Sequence, residues 1–303
     1  MLKKILIIGG AGFVGQTIAH ELSKAGNRIL IPTRQKKGLD NLRTNPSVQL
    51  LESKNYSQEA LVSWMRQLGP DGVVINLAGI LHDRHGAPYG PNFKATHVDL
   101  TKTIIEAMKS VGLKRYLHMS ALGASVDGPS MYSRSKGEAE NFVKNSSLNW
   151  TIFRPSVIFG EKDQFINLFG KLQKFAPVMP LAGAKVLFQP VSVQDVAKAF
   201  AKAVNMSKTI SQVYDLGGPK TYTLAQIVRF AGQRVGHLRP IMPLPNWAGY
   251  LQALMLEFGP GATMMSRDNL ASMKQDNILR TDQPNCLNSV FNITPTSLES
   301  LKN

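Results

Sequence analysis

Residues 3–15 read Lys3-Lys4-Ile5-Leu6-Ile7-Ile8-Gly9-Gly10-Ala11-Gly12-Phe13-Val14-Gly15. An apolar run, the pattern of a strand buried on both faces, passes straight into three glycines spaced three apart. Residues 17–25 follow with helical periodicity and stop at Gly26. A parallel strand, a tight turn and a helix N-terminus, in that order, make a seat for a dinucleotide pyrophosphate. The helix end offers unpaired amides and the positive end of its dipole. Gly9 permits the sharp turn, Gly12 lets the backbone approach the phosphates, and Gly15 lets the helix lie close on the strand.

Outward from this unit, strand and helix signals alternate. Residues 28–32 and 48–51 read as strands, and 57–68 as a helix closed by Gly69-Pro70. Residues 73–79 form a buried strand ending in the turn Leu77-Ala78-Gly79, and 93–110 a long helix. A strand at 115–119, a helix at 132–144 and a strand at 150–154 complete the first half. This alternation predicts an α/β fold, a doubly wound parallel Rossmann sheet. From residue 161 prolines and glycines break the pattern, which returns at 191–204 and in a last core strand at 212–216. Residues 223–236 read as a helix and 240–245 as a proline-rich loop. The apolar stretch 247–265 reads as a lid helix ending at Gly259-Pro260-Gly261. The expected division is a nucleotide domain over 1–160, rejoined by 186–217. A smaller, mostly helical substrate lobe takes 161–185 and 218–303.

The 303 residues carry 35 Lys and Arg against 20 Asp and Glu, a net charge of +15. Such a field favours anionic partners: a phosphorylated cofactor, an anionic membrane surface or an acidic protein face. The cations are scattered and form no nucleic-acid motif, so nucleic acid is not an expected partner. The single cysteine, Cys286, cannot close an internal disulfide, and no apolar run has the length of a membrane span. The expected location is cytoplasmic, with the charge and the apolar stretch allowing peripheral contact at the inner face of a membrane. His82, Asp83 and His85 cluster after the fourth strand without a metal-binding spacing, so no metal is expected.

The end of the second strand distinguishes the dinucleotides. Proteins that bind NAD place an acidic residue there for the adenine-ribose hydroxyls. This chain has Ile31-Pro32-Thr33-Arg34, then Gln35-Lys36-Lys37. Arg34 offers a planar fork for a ribose 2′-phosphate, and Lys36 adds positive charge, although loop lysines are commonly just solvated. The expected cofactor is NADP(H).

In Tyr132-Ser133-Arg134-Ser135-Lys136 the phenol and the ammonium, four residues apart, share a helix face. A neighbouring cation and a positive nicotinamide ring favour phenolate, so the Tyr132 pKa is expected to fall from about 10 toward the working range. Tyr132 then acts as general acid or base on a carbonyl or hydroxyl. Ser120, at the end of the fifth strand, is placed to hold the same oxygen, or serves only as a turn residue.

Together these pieces resemble the short-chain dehydrogenase/reductase superfamily. The matching segments are the Gly9–Gly15 turn, Asn76-Leu77-Ala78-Gly79, Ser120, Tyr132-xxx-Lys136, Arg154-Pro155-Ser156-Val157-Ile158-Phe159-Gly160 and 189–197. His118 to Ala124 and Phe159 to Phe165 are similar to the atypical, epimerase-like branch. That branch holds the NADPH-binding accessory subunit of respiratory complex I and its bacterial relatives. The resemblance implies that amides near Phe13 and Val14 hold the pyrophosphate and that Lys136 contacts the nicotinamide ribose. It further implies that Pro155 and Val157 close over the nicotinamide. Two departures stand out: His97 replaces an asparagine common in that helix, and Glu52-Ser53 replaces an adenine-contacting Gly-Asp. The expected function is hydride transfer with a carbonyl or secondary alcohol of a small hydrophobic substrate. The alternatives are a nucleotide-binding structural, assembly or redox-sensing protein of a membrane-associated complex, and an NAD-dependent sugar-nucleotide epimerase or dehydratase.

Overall fold

The opening apolar run becomes β1 (Lys4–Ile8) in the computed structural model, which describes residues 2–34, 37–53, 55–257, 265–280 and 282–301. Its side chains alternate between two cores. Ile5 and Ile7 enter one hydrophobic cluster, Leu6 and Ile8 the other, and all four are fully buried. A strand covered by helices on both faces reads this way, and each such side chain contributes about 1.5–3 kcal/mol.

The chain continues through α1 (Phe13–Lys24), β2 (Arg28–Thr33), α2 (Asp40–Arg43), β3 (Val48–Glu52), α3 (Gln58–Arg66) and β4 (Val73–Asn76). A helical stretch then runs from α4 (Pro91–Phe93) to α5 (Leu100–Ser110), followed by β5 (Arg115–Met119), α6 (Met131–Lys144) and β6 (Asn149–Pro155). Next come β7 (Ile158–Phe159), α7 (Phe165–Phe175), β8 (Met179–Leu181), β9 (Leu187–Phe188), β10 (Val191–Ser192) and α8 (Val193–Val204). The remainder is β11 (Gln212–Leu216), β12 (Tyr222–Thr223), α9 (Leu224–Arg234), β13 (Ile241–Pro243), α10 (Asn246–Glu257), α11 (Arg267–Ser272) and α12 (Cys286–Ser289).

Seven strands form one parallel sheet in the order β11-β6-β5-β4-β1-β2-β3. On one face α1 presents Ile18, Ala19 and Leu22 beside Val196, Ala197 and Phe200 of α8. The other face is covered by Leu61 and Met65 of α3 with Ile104 and Met108 of α5. The strand order reverses between β1 and β4, where Ile5 faces Val73 and Ile8 faces Asn76. Open α/β sheets bind ligands outside the carboxyl ends of their strands at such a reversal. The turns after β1 and β4 both open there.

A third cluster gathers Phe159, Ile166, Leu181, Phe188, Leu224, Ile227 and Val228 from the later elements. Two expectations change here. The helix expected over 93–110 contains a π-helical turn, Lys94–Asp99, which carries the buried His97. The proline-rich 240–245 segment contains β13, which pairs in parallel with β8, Ile241 opposite Met179 and Pro243 opposite Leu181. A two-stranded ribbon tolerates proline because neither strand is enclosed by a neighbour on both sides. Residues 258–264, with Gly259-Pro260-Gly261, lie outside the described residues. Among the described residues no helix is long and apolar enough to cross a membrane.

Candidate functional site

Gly9 adopts φ +78°, a left-handed conformation that L side chains rarely take, so the turn off β1 depends on it. A Cβ on Gly15 would lie 2.5 Å from the Gly10 Cα, so only glycine lets α1 approach the strand this closely. Gly12 is the N-cap of α1 and supplies no side-chain cap, leaving the first-turn amides of Phe13 and Val14 facing outward. Among the described residues, a Cβ placed on Gly12 would meet only the Gly9 carbonyl oxygen, at 3.3 Å. A missing side chain, an uncapped helix end and open space together fit a pyrophosphate. The Phe13 ring packs against Gly160, where a Cβ would come within 2.9 Å of it.

The β4 turn closes against the same crevice. Leu77 donates its N–H to the Ile8 carbonyl at 2.9 Å, and the Asn76 side chain accepts from the Ala78 N–H at 3.0 Å. Gly79 is exposed, and a Cβ there would sit 3.6 Å from His97 Nε2. Arg34 is exposed one residue beyond β2. The Tyr56 hydroxyl reaches the Pro32 carbonyl at 3.5 Å, with the Gly9 backbone and the Arg34 charge beside it. The chain thus brings Arg34 to the edge of the glycine turn. Lys36 lies outside the described residues.

Tyr132 and Lys136 sit in the first turns of α6, whose N-terminus is fixed by a capping box between Ser130 and Ser133. Lys136 is 3% exposed and donates from Nζ to the Met119 carbonyl at 2.7 Å, one residue before Ser120. That bond pins the helix to the carboxyl end of β5. Burial lowers Lys136 to about 8, partly offset by the Glu140 carboxylate one turn along the helix. Burial by itself pushes the Glu140 carboxyl up. Hydrogen bonds and charge from Arg154, with Ser120 and Lys144 contributing, outweigh it and leave Glu140 below the usual carboxylate range. Ser120 Oγ is buried beside this carboxylate, at the carboxyl end of β5.

The expected fall in the Tyr132 pKa does not occur in the protein alone. Burial raises it to about 12, and Lys136 directs its ammonium at a backbone carbonyl. The ring edge meets His97, with centroids 5.6 Å apart, and Phe93 at 6.0 Å. His97 sits within the π turn. Its Nε2 accepts from the Ile80 N–H at 3.1 Å, so Nδ1 carries the proton and donates to Ser135 Oγ at 2.8 Å. Burial, then the Lys136 and His118 charges, hold His97 down to about 2, hence neutral. It braces the β4 turn against α6.

Several residues that matter to this geometry escape local sequence reasoning. Asp268 of α11 accepts from the Met131 and Tyr132 backbone N–H groups at 2.6 and 3.0 Å, across 137 and 136 positions of chain. Ser156, between Pro155 and Val157, donates from its hydroxyl to the Asn277 side chain at 2.6 Å. Pro155 accepts from the Leu122 N–H at 2.9 Å, and Val157 from the Val191 N–H at 2.9 Å. Asp83 is a cap, taking the Phe93 N–H at 2.6 Å and the Asn92 side chain at 2.9 Å. Among the described residues His82 Nδ1 is buried without a partner, and burial lowers its pKa against the smaller upward pull of Asp268 and Glu257.

The fold and this crevice define a dinucleotide-binding protein. The chain belongs to the NAD(P)H-binding family, whose model matches residues 9–207. The mouse protein NADH dehydrogenase (ubiquinone) 1 alpha subcomplex subunit 9, mitochondrial, is 28% identical over 303 residues, covering 98% of this chain and 78% of that protein. UDP-glucose 4-epimerase from Thermotoga maritima superimposes with a TM-score of 0.72 at 16% identity, over 98% of this chain and 95% of that one. The Thermus thermophilus UDP-glucose 4-epimerase, solved as a complex with NAD, gives 0.68 at 18% identity, covering 89% and 99%. At these identities the solved structures establish the epimerase-like fold. The branch indicated by the motifs is the one to which the complex I subunits belong.

Proposed function

We propose that the protein is an NADP(H)-dependent oxidoreductase of the atypical short-chain type, acting on a carbonyl or secondary alcohol of a small hydrophobic substrate. One observation carries this reading: the buried Lys136 ties the Tyr132 helix to the β5 end, where the Ser120 hydroxyl lies buried beside the Glu140 carboxylate. In this reading Gly9, Gly12, Gly15 and the amides of Phe13 and Val14 hold the pyrophosphate. Arg34 and Lys36 take the ribose 2′-phosphate, and Leu77, Ala78, Gly79, Pro155 and Val157 line the remaining walls. The bound nicotinamide supplies or accepts the hydride. Ser120 donates a hydrogen bond to the substrate oxygen and Tyr132 exchanges a proton with it. A phenol raised to about 12 is protonated at neutral pH, which suits the acid of a carbonyl reduction. Lys136, lowered to about 8, keeps most of its charge there and orients the ribose. Residues 1–160 with 186–217 form the nucleotide side, and 161–185 with 218–303 the substrate side.

Tyr132→Phe is expected to bind NADPH within about twofold of wild type and to lose on the order of 100-fold or more in turnover across a panel of carbonyl substrates. Unchanged turnover in that variant would contradict the proton-transfer role. A second reading is favoured by the complex I subunit relatives: a nucleotide-holding assembly or sensing subunit of a membrane-associated complex. Tight NADPH binding with no turnover by wild type on any carbonyl would select it.

A further inference from the structure

Helix α10 is built the wrong way round for a surface helix. Its buried positions are the small Gly249 and Ala253, four apart, and a Cβ on Gly249 would come within 2.7 Å of the Ala182 Cβ. Four of its six large apolar side chains are exposed: Trp247 at 70% and Met255 at 76%, with Tyr250 and Leu251 between them, while Leu254 and Leu256 are half-buried. The neighbouring ribbon extends this face. The Gln252 side chain donates to the Pro180 carbonyl of β8, β13 pairs with β8, and Met179 donates its backbone N–H to the Pro240 carbonyl. Met242 and Val178 are exposed along it, as is Phe175 at 89%. Isolated apolar side chains on a surface are ordinary; a contiguous set on adjoining elements marks a contact surface.

The two sequence spans that build this face carry charge of one sign, with Lys220 among them paired to Glu299. The sequence has no aspartate or glutamate between Asp163 and Asp195, nor between Asp215 and Glu257. These two spans contain α7, β8, β13 and nearly all of α10, and they carry Lys171, Lys174, Lys185, Lys220, Arg229, Arg234 and Arg239. Glu257, which ends α10, is paired with Arg267 at 2.7 Å. Lys171 and Lys174 are exposed next to Phe175, and Lys185 is exposed three residues from Ala182.

We infer that the face formed by α10, β13, β8 and the end of α7 docks on an anionic lipid bilayer surface, Trp247 and Met255 entering the headgroup boundary while Lys171 and Lys174 meet the phosphates. Outward tryptophan and tyrosine on an apolar face, with acid-free cationic flanks, is the combination that partitions to such an interface. This sharpens the membrane side of the second reading above, yet it stands on observations separate from the nucleotide crevice.

The test uses the full chain with vesicles of phosphatidylcholine alone and of equimolar phosphatidylcholine and phosphatidylglycerol, read by flotation and by tryptophan emission. Binding to the anionic vesicles at low salt is expected, with a blue shift and release at high salt. Lys171→Gln with Lys174→Gln should weaken anionic binding roughly 30-fold, at about 1 kcal/mol per cation. Trp247→Ser with Met255→Ser should weaken it on the order of 100-fold and abolish the blue shift, with an unchanged circular dichroism spectrum. Protein that stays in the soluble fraction at low salt overturns the inference, as does equal binding to both vesicle types. A concentration-dependent dimer that buries Trp247 without vesicle binding overturns it in favour of a second copy of the chain.

Discussion

Helices α1 and α10 both turn small residues inward, with opposite consequences. At α1, Gly15 lets the helix sit on β1 while Ile18, Ala19 and Leu22 also point inward, so the chain closes this contact itself. At α10, Gly249 and Ala253 let the helix sit close while Trp247, Tyr250, Leu251 and Met255 face away. The same device produces a finished core in one place and a face lacking its counterpart in the other. Small residues on a helix say that something approaches closely; the position of the large ones says whether that something belongs to the chain.

Perturbing the finished contact should have the largest effect. Gly15→Val drives a branched side chain into the Gly10 backbone and is expected to lower stability by about 3 kcal/mol and to abolish NADPH binding, measured by thermal unfolding and titration. Wild-type binding in that variant would mean that the close approach of α1 to β1 is not required. A smaller effect is expected where the two regions meet. Asp268→Ala removes two charge-assisted hydrogen bonds from the start of α6 and should destabilise by about 2 kcal/mol. Hydrogen exchange at the Met131 and Tyr132 amides should accelerate in this variant while exchange in β1 does not. Uniform acceleration would show that the later elements are not a separate unit of opening.

The sequence reading succeeded where structure is local and failed where it is not. The β1 run, the glycine turn and the alternation of strands with helices were legible because a buried strand and a helix each carry their own period. The pairing of Tyr132 with Lys136 on one face followed from helix geometry alone. The π turn at His97 is not legible in the sequence, and the bonds His97 makes there, to Ile80 and Ser135, reach 17 and 38 positions along the chain. Strand β13 was read as loop because its partner, β8, lies some sixty residues earlier in the chain. The Asp268 cap on α6 is still more remote. The expected drop in the Tyr132 pKa rests on the Lys136 charge and a bound nicotinamide ring; burial, which comes from tertiary packing, dominates in the protein alone.

A fluorescence titration of nucleotide-free protein with NADPH and with NADH, repeated on Arg34→Ala, decides which cofactor the crevice takes. The account predicts NADPH binding at least about tenfold tighter than NADH, with the variant losing roughly 10- to 100-fold for NADPH and little for NADH, as expected for one charge-assisted fork on a phosphate. Equal affinity for the two nucleotides, unchanged by the substitution, would contradict it.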